Sequence, residues 1–337
     1  MQADQRYSRQ ILFPPIGEAG QQQLSAATVA VAGCGATGSV LCGLLARAGI
    51  GHLRIIDRDY VELSNLQRQS LFDEADAAES VPKAIAAARR IATFNSGVVA
   101  QPEVFDLVPG NIASLLSGAQ IVLDGTDNFE TRFLINDFCV KNSIPWIYAA
   151  AVGSYGVTMN ILPGKTACLA CLFPAAPGGA LETCDTAGIL NSVANMVASI
   201  AVTEALKILV GASQSLRSTL LSWNLWTNQR SEIETVRNPD CKVCGQRQFD
   251  HLAGKGRAQI TLCGRNSVQI HERQREINFS EISARLQPLG PVKHNDMILK
   301  FWHKDHEITL FPDGRAIIKG TTDPAVARSL YARFIGN

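Results

Sequence analysis

The chain has 337 residues, which at roughly 150 per domain predicts two domains, or one large one with an appendage. With 46% apolar and 18% charged residues it can bury a substantial core, which excludes wholesale disorder. A net charge of +1 excludes a polyanion binder of the histone or basic-arm kind, so no nucleic-acid partner is expected.

From the N-terminus, Met1 to Gln10 is polar and shows no basic patch followed by an apolar run. The expectation is therefore a cytoplasmic protein. Thr28 to Ala32 is a short apolar, β-prone run that leads into Gly33-Cys34-Gly35-Ala36-Thr37-Gly38. Val40 to Ala48 has the spacing of a buried helix, stopped by Gly49 and Gly51, and His52 to Asp57 is the next strand. Strand, glycine turn, helix and strand make a βαβ unit with a right-handed crossover. Pro82 and Lys83 open a helix to about Phe94; Val98 to Val104 is a strand and Asn111 to Leu116 a short helix. A strand Ile121 to Asp124, a helix Glu130 to Lys141 and a strand Trp146 to Ala150 follow. This alternation gives a doubly wound, Rossmann-like α/β fold with its site at the carboxyl ends of the strands.

From Gly153 the pattern changes. Tyr155 to Leu162 reads as a strand, and the Gly/Pro/Ala-rich stretch to Gly188 reads as a long functional or mobile loop. A helix Asn191 to Leu209 and strands Thr219 to Trp226 and Glu232 to Val236 come next. The most apolar stretch, Ile189 to Val210, carries Glu204 and Lys207 and reads as a buried helix, not a membrane span. His251 to Arg257 is a linker, so the domains are expected at 1–250 and 257–337. The second is a small α+β domain: strand Gln259 to Leu262, helix Phe279 to Leu286, strands around Met297 to Trp302 and His306 to Phe311, an Asp313-Gly314 hairpin turn, strand Ala316 to Lys319 and helix Pro324 to Phe334. Residues after His251 carry 13 basic and 8 acidic side chains, so this appendage is mildly basic on a mildly acidic body. That charge and its exposed-looking strands would suit an acidic partner, and plain solvated surface is the simpler account. His303 and His306, three apart, are expected on opposite faces of one strand, which argues against a metal pair.

The glycine run lets a backbone approach phosphates closely and aims helix N–H groups at them. Asp57, about 20 residues on, is placed to accept hydrogen bonds from ribose hydroxyls. These two features alone would suit a nicotinamide oxidoreductase. The residues that follow favour a triphosphate. Arg68, within Ser64-Asn65-Leu66-Gln67-Arg68-Gln69, and Lys83 offer cations for phosphate charge, and Asp127 a carboxylate for Mg²⁺. Arg6 and Arg9 add two guanidiniums near the N-terminus, of which Arg6 reads as a surface charge.

Nine cysteines, an odd number, do not form a disulfide framework. Cys168-Leu169-Ala170-Cys171 and Cys241-Lys242-Val243-Cys244 are two Cys-x-x-Cys knuckles, and four thiolates are what a closed structural zinc site requires. Two redox pairs are the alternative. Cys184 lies in a polar loop just before the long helix, where a thiol tends toward thiolate character. Cys34, Cys42 and Cys139 read as small packing residues, and Cys263 as a thiol at a strand end.

Arg-Tyr-Ser-Arg-Gln-Ile, the glycine motif, Asp-x-Asp-x-Val-x-x-Ser-Asn-Leu-Gln-Arg-Gln, Pro-Lys and Thr-Asp-Asn, in this order over about residues 6 to 247, resemble the ThiF/MoeB adenylyltransferases, bacterial relatives of ubiquitin-activating enzymes. The resemblance implies ATP-dependent adenylation of the C-terminal glycine carboxylate of a ubiquitin-like sulfur-carrier protein, for thiamin thiazole or molybdopterin synthesis. It implies ATP bound at Gly33, Gly35 and Gly38, ribose at Asp57, with Asp59 and Gln67 in the same nucleotide set. Asn65, Arg68 and Lys83 would bind the phosphates and Asp127 the Mg²⁺. Arg9 would reach the triphosphate of the neighbouring subunit, which implies a homodimer. Cys184 matches a cysteine that in some members joins the carrier terminus through sulfur. A cysteine desulfurase or another sulfur donor is then a further partner. Length and the Thr-Cys-Asp-Thr-Ala-Gly setting of Cys184 tilt the reading toward the thiamin branch. A catalytically silent scaffold would not explain the whole set of cations and the aspartate.

Overall fold

The computed structural model of the chain describes residues 5–174, 187–255, 261–262, 267–270, 277–312 and 314–336. Two compact units divide it, Met1–Gly256 and Arg257–Asn337.

The first unit is built on an eight-stranded sheet. Its strands are β1 (Thr28–Ala32), β2 (His52–Ile56), β3 (Val99–Glu103), β4 (Ile121–Asp124), β5 (Trp146–Val152), β6 (Tyr155–Ile161), β7 (Thr219–Asn224) and β8 (Gln229–Glu234). They lie in the order β3-β2-β1-β4-β5-β6-β7-β8. The first five are parallel, and β6 to β8 continue the sheet antiparallel. β4 is buried at all four positions and β1 at four of its five, as central parallel strands covered on both faces must be, so each reads as an unbroken apolar run. The chain leaves β1 toward β2 and returns on the other side as β4. That reversal opens a crevice at the carboxyl ends of these strands.

Between β1 and β2 runs the helix Ala36–Ala48, ended by Gly49 at φ +83, a left-handed conformation that favours glycine. The helix Lys83–Phe94 precedes β3, and Phe129–Lys141 follows β4. The helix Asn191–Leu209 lies against β5, β6 and the helix Ala36–Ala48. A Cβ on Gly156 of β6 would come within 2.3 Å of Val197 of this helix, so a glycine permits the contact. Among the described residues this is the one helix long and apolar enough to cross a membrane. Its buried Glu204 holds Asn160, Lys207 and the Arg217 backbone N–H, as fits the expected core helix.

Among the described residues four α-helices had no expectation, two of them, Ser8–Ile11 and Leu169–Leu172, only four residues long. Gly17–Ala26 mixes two glycines with a glutamine run and buries only Gly20, Gln21 and Leu24. Glu74–Glu79 buries nothing and is held by a reciprocal cap between Asp73 and Asp76. Neither carries an apolar stripe for periodicity to find.

The second unit is a six-stranded antiparallel sheet of β9 (Thr261–Leu262), β10 (Ser267–Ile270), β11 (Val292–His294), β12 (Leu299–His303), β13 (His306–Leu310) and β14 (Ala316–Lys319). Their order is β11-β12-β13-β14-β10-β9. Val268, Ile270, Leu299, Phe301, Ile308, Leu310 and Ile318 form its core with the helices Phe279–Leu286 and Pro324–Phe334. Two expectations are corrected here. His303 and His306 do not lie on one strand: they end β12 and begin β13 and stand directly opposite one another. A two-residue turn, with Lys304 at φ +52, separates them, and the period-2 rule does not carry across a turn. Exposure also differs from strand to strand: β10 is buried at every position and β14 at three of four, while β11 is exposed at two of its three. Asp313 lies outside the described residues.

Candidate functional site

The glycine bend after β1 is the floor of the crevice. Gly33 has φ +86, and a Cβ there would lie 2.6 Å from the carbonyl oxygen of Gly125, in the turn after β4. A Cβ on Gly38 would lie 1.9 Å from the Gly33 carbonyl oxygen. Gly33 and Gly38 thus let the β1 bend, the helix N-terminus and the β4 turn touch backbone to backbone. Gly35 differs: the nearest atom to its Cβ position is Gln69 Nε2 at 4.0 Å. This brings the Ser64–Gln69 segment beside the bend. Gln69 Oε1 is buried there with no hydrogen-bond partner among the described residues, so a donor is wanted at that point.

Asp57 is tied to the bend. Its Oδ2 accepts the Cys34 N–H at 2.6 Å and its Oδ1 the Asp59 N–H at 2.7 Å, which leaves acceptor capacity for ribose hydroxyls. Burial pushes its carboxyl up, and the Lys83 charge works against that. Lys83 is itself buried; its Nζ lies 3.3 Å from Asp59 Oδ2 and its N–H donates to the Asp59 carbonyl. Asn65 is buried, its Oδ1 accepting the Glu62 N–H, and Arg68 is half-buried and holds the Ser64 carbonyl at 2.7 Å. Gln67 is tethered through its carbonyl to Asn191, at the start of the long helix.

Asp127 is exposed on the β4 turn, where Asn128 caps the helix Phe129–Lys141. The turn is fixed by a pair that sequence reasoning missed. Asp124 is fully buried and accepts both the N–H and hydroxyl of Thr126 and, at 2.9 Å, Arg132 Nε; Arg132 also donates to the Thr126 carbonyl. Burial pushes the Asp124 carboxyl up and Arg132 draws it down. A charged residue that completes an apolar strand is the available signal for such a pair. Arg58 was passed over as well. Its guanidinium lies 2.9 Å from Asp106, in the segment after β3.

Arg9 is not brought to this crevice within its own chain. Tyr7 packs on Gly49, and Gln10 donates to the Ala48 carbonyl, at the far end of the 13-residue helix Ala36–Ala48, about 20 Å from the bend at 1.5 Å per residue. Arg6 donates to Asn95. Cys184 and Cys263 lie outside the described residues. Cys34 is buried, its thiol pushed well up first by a hydrogen bond with Cys42 and next by burial, which suits a packing residue.

Away from the crevice, Cys168, Cys171, Cys241 and Cys244 place their Sγ atoms within 4.8 Å of one another. The separations include 3.8 Å, 3.7 Å and 3.4 Å. A tetrahedron of Zn–S bonds near 2.3 Å has edges of about 3.8 Å, so the set fits Zn²⁺. Leu169 N–H donates to Asn136 on the helix Phe129–Lys141, which ties the knuckle to the body.

Comparison with known proteins gives a consistent neighbourhood. The ThiF family matches residues 7–243. The sulfur carrier protein ThiS adenylyltransferase of Bacillus subtilis (strain 168) is 44% identical over 337 residues, covering 98% of this chain and 99% of that protein. The SAMP-activating enzyme E1 of Haloferax volcanii is 35% identical, over 73% of this chain and 91% of that one. Among solved structures, Escherichia coli MccB with ATP superposes with a TM-score of 0.62 at 25% identity, over 72% of this chain and 75% of that one.

Proposed function

Since this chain belongs to the ThiF family, we propose that it is the ATP-dependent adenylyltransferase of a ThiS-like sulfur-carrier protein, activating the C-terminal glycine carboxylate as an acyl adenylate with release of pyrophosphate. The observation that carries the reading is the convergence of Asp57, Ser64–Gln69, Lys83 and the Asp127 turn on one glycine bend. The thiamin branch is favoured by the near-full-length similarity to the Bacillus subtilis relative. A MoaD-like carrier is the second reading. It rests on the adenylyltransferase and sulfurtransferase MOCS3 of Sus scrofa, 36% identical over 72% of this chain and 53% of that protein.

The obstacle to the reaction is an anion attacking a polyanion: two unit charges 4 Å apart repel by about 4 kcal/mol at an effective dielectric of 20. Arg68 and Lys83 of one chain and Arg9 of its partner in a homodimer offset that repulsion and hold the leaving pyrophosphate. Mg²⁺ held at Asp127 supplies further positive charge on the phosphates. Asp57 orients the ribose, with Asp59 fixing Lys83, while Gly35, Asn65 and Gln67 line the nucleotide. No general base is required, because the nucleophile is already ionised, and residues 53–250 contain no histidine. The Cys184 thiolate then attacks the acyl adenylate, forming a thioester with the carrier terminus and releasing AMP, with a cysteine desulfurase or similar cytoplasmic sulfur donor as the next partner. Zn²⁺ on the four cysteines is structural.

One panel of purified variants tests this. Arg68→Ala and Asp127→Ala should lose ATP–pyrophosphate exchange by 100-fold or more while melting as the parent does; normal exchange in either would sink the assignment. Cys184→Ser should keep exchange but yield no sulfur-linked carrier adduct by mass spectrometry. Metal analysis should find one zinc per chain, lost when Cys168 and Cys241 are both replaced by serine.

A further inference from the structure

Strand order fixes the direction in which a nucleotide lies. The phosphates belong at the bend after β1 and the ribose at Asp57, past the end of β2. The same line continues to the end of β3, the next strand outward. There Arg58, one residue beyond Asp57, reaches across to Asp106, with NH1 2.9 Å from Oδ1. Its Nε lies 4.0 Å from Asp59 Oδ1. The Arg58 side chain is 17% exposed and that of Asp106 10%, so the pair is held in the wall of the crevice with part of its surface open.

We propose that Arg58 is the base-binding residue of the nucleotide site, its guanidinium plane set by Asp106 so that a purine stacks on it. The proposal rests on ATP being the nucleotide and adds the residue that meets its base. An arginine suits the task because its planar, delocalised cation is weakly hydrated and stacks on aromatic faces, which lysine does not do. A carboxylate tether fixes the plane in advance and spares the ordering cost at binding. The surrounding charges add a second reason. Burial alone would lower the affinity of Arg58 for its proton. The fields of Asp106, Asp59, Asp127 and Asp57 outweigh it and raise that affinity, so the side chain stays a cation. Without it these carboxylates would face the incoming nucleotide with less compensation.

The test separates base from phosphate. For the wild type, Arg58→Met, Arg58→Lys and Asp106→Asn, the KM for ATP and kcat are measured in pyrophosphate exchange with carrier protein. Inhibition by inorganic tripolyphosphate, which has the phosphates and no base, is measured alongside. Arg58→Met and Arg58→Lys should both raise the KM for ATP roughly tenfold, with kcat within about twofold and tripolyphosphate inhibition unchanged. Asp106→Asn should show a smaller rise of the same kind. If Arg58→Lys restores the wild-type KM, or if tripolyphosphate inhibition weakens in step with ATP, the residue acts only as a charge and the proposal fails. Melting curves identify a variant that fails to fold, and Asp106→Asn, which keeps shape, then carries the test. A wild type without exchange would instead refute the adenylyltransferase reading itself.

Discussion

At the scale of single residues, Gly38 decides whether the crevice exists. It lies in the first turn of the helix Ala36–Ala48, and the space its Cβ would take is occupied by the Gly33 carbonyl oxygen, 1.9 Å away. That neighbour is backbone and cannot rotate aside. Gly38→Ala should therefore displace the bend, cost about 2–3 kcal/mol and lower Tm by roughly 5–10 °C, with nucleotide binding lost in parallel. Gly35→Ala is the control for stability alone, because its Cβ would meet only a glutamine amide at 4.0 Å; an equal drop in Tm in the two variants would refute the argument. Both positions look alike in the sequence, each a glycine of one motif, and only the strand-to-turn contact tells them apart. The same holds for Arg132. Nothing in its helix marks it from a solvated arginine, because its buried partner Asp124 is eight residues away across a cap.

At the scale of elements, the helix Phe129–Lys141 links the crevice to the knuckle. Its N-terminus follows the Asp127 turn, its Asn136 receives the Cys168–Cys171 segment, and its buried Asp137 accepts the N–H groups of His251 and Leu252. Burial pushes the Asp137 carboxyl up to about 6. A carboxyl raised on folding stabilises most when protonated. Its contribution is complete below the unfolded value, near 3.9, and is lost as the pH rises through 6. The wild type should lose roughly 2 kcal/mol relative to Asp137→Asn between pH 4 and pH 7.5, read from urea unfolding at both. Parallel pH profiles for the two proteins would show that Asp137 does not titrate in this range. Elements of this kind were legible where a stripe and a stop coincided. Lys83–Phe94, Ile121–Asp124, Asn191–Leu209, Phe279–Leu286 and Pro324–Phe334 match the sequence reading at both ends. The glycine motif, Asp57 and the Cys-x-x-Cys pairs were equally visible, since each is a local pattern. What stayed hidden followed no local pattern of residue types: Arg58 with Asp106, Asp124 with Arg132, the His303–His306 pairing across a turn, and helices with no apolar face.

At the scale of the whole molecule, one cation of the proposed site stands apart from the rest. Arg9 is exposed, and its neighbours Tyr7 and Gln10 are anchored at Ala48–Gly49, the end of the first helix opposite the glycine bend. No side chain spans the about 20 Å length of that helix, so Arg9 can serve a triphosphate only on another copy of the chain. In the proposed homodimer each site would then combine Arg68 of one protomer with Arg9 of the other. This has a consequence that a surface charge does not share. Arg9→Ala and Arg68→Ala homodimers should each be inactive in pyrophosphate exchange. Mixed under conditions that exchange subunits, they form heterodimers in which one site regains both arginines and the other loses both. Statistical mixing should restore about a quarter of wild-type activity per chain. An Arg9→Ala homodimer with full activity would remove Arg9 from the site. Inactive homodimers that exchange subunits, shown by a mass tag, yet regain nothing would place both arginines in one chain's site and break the two-fold arrangement.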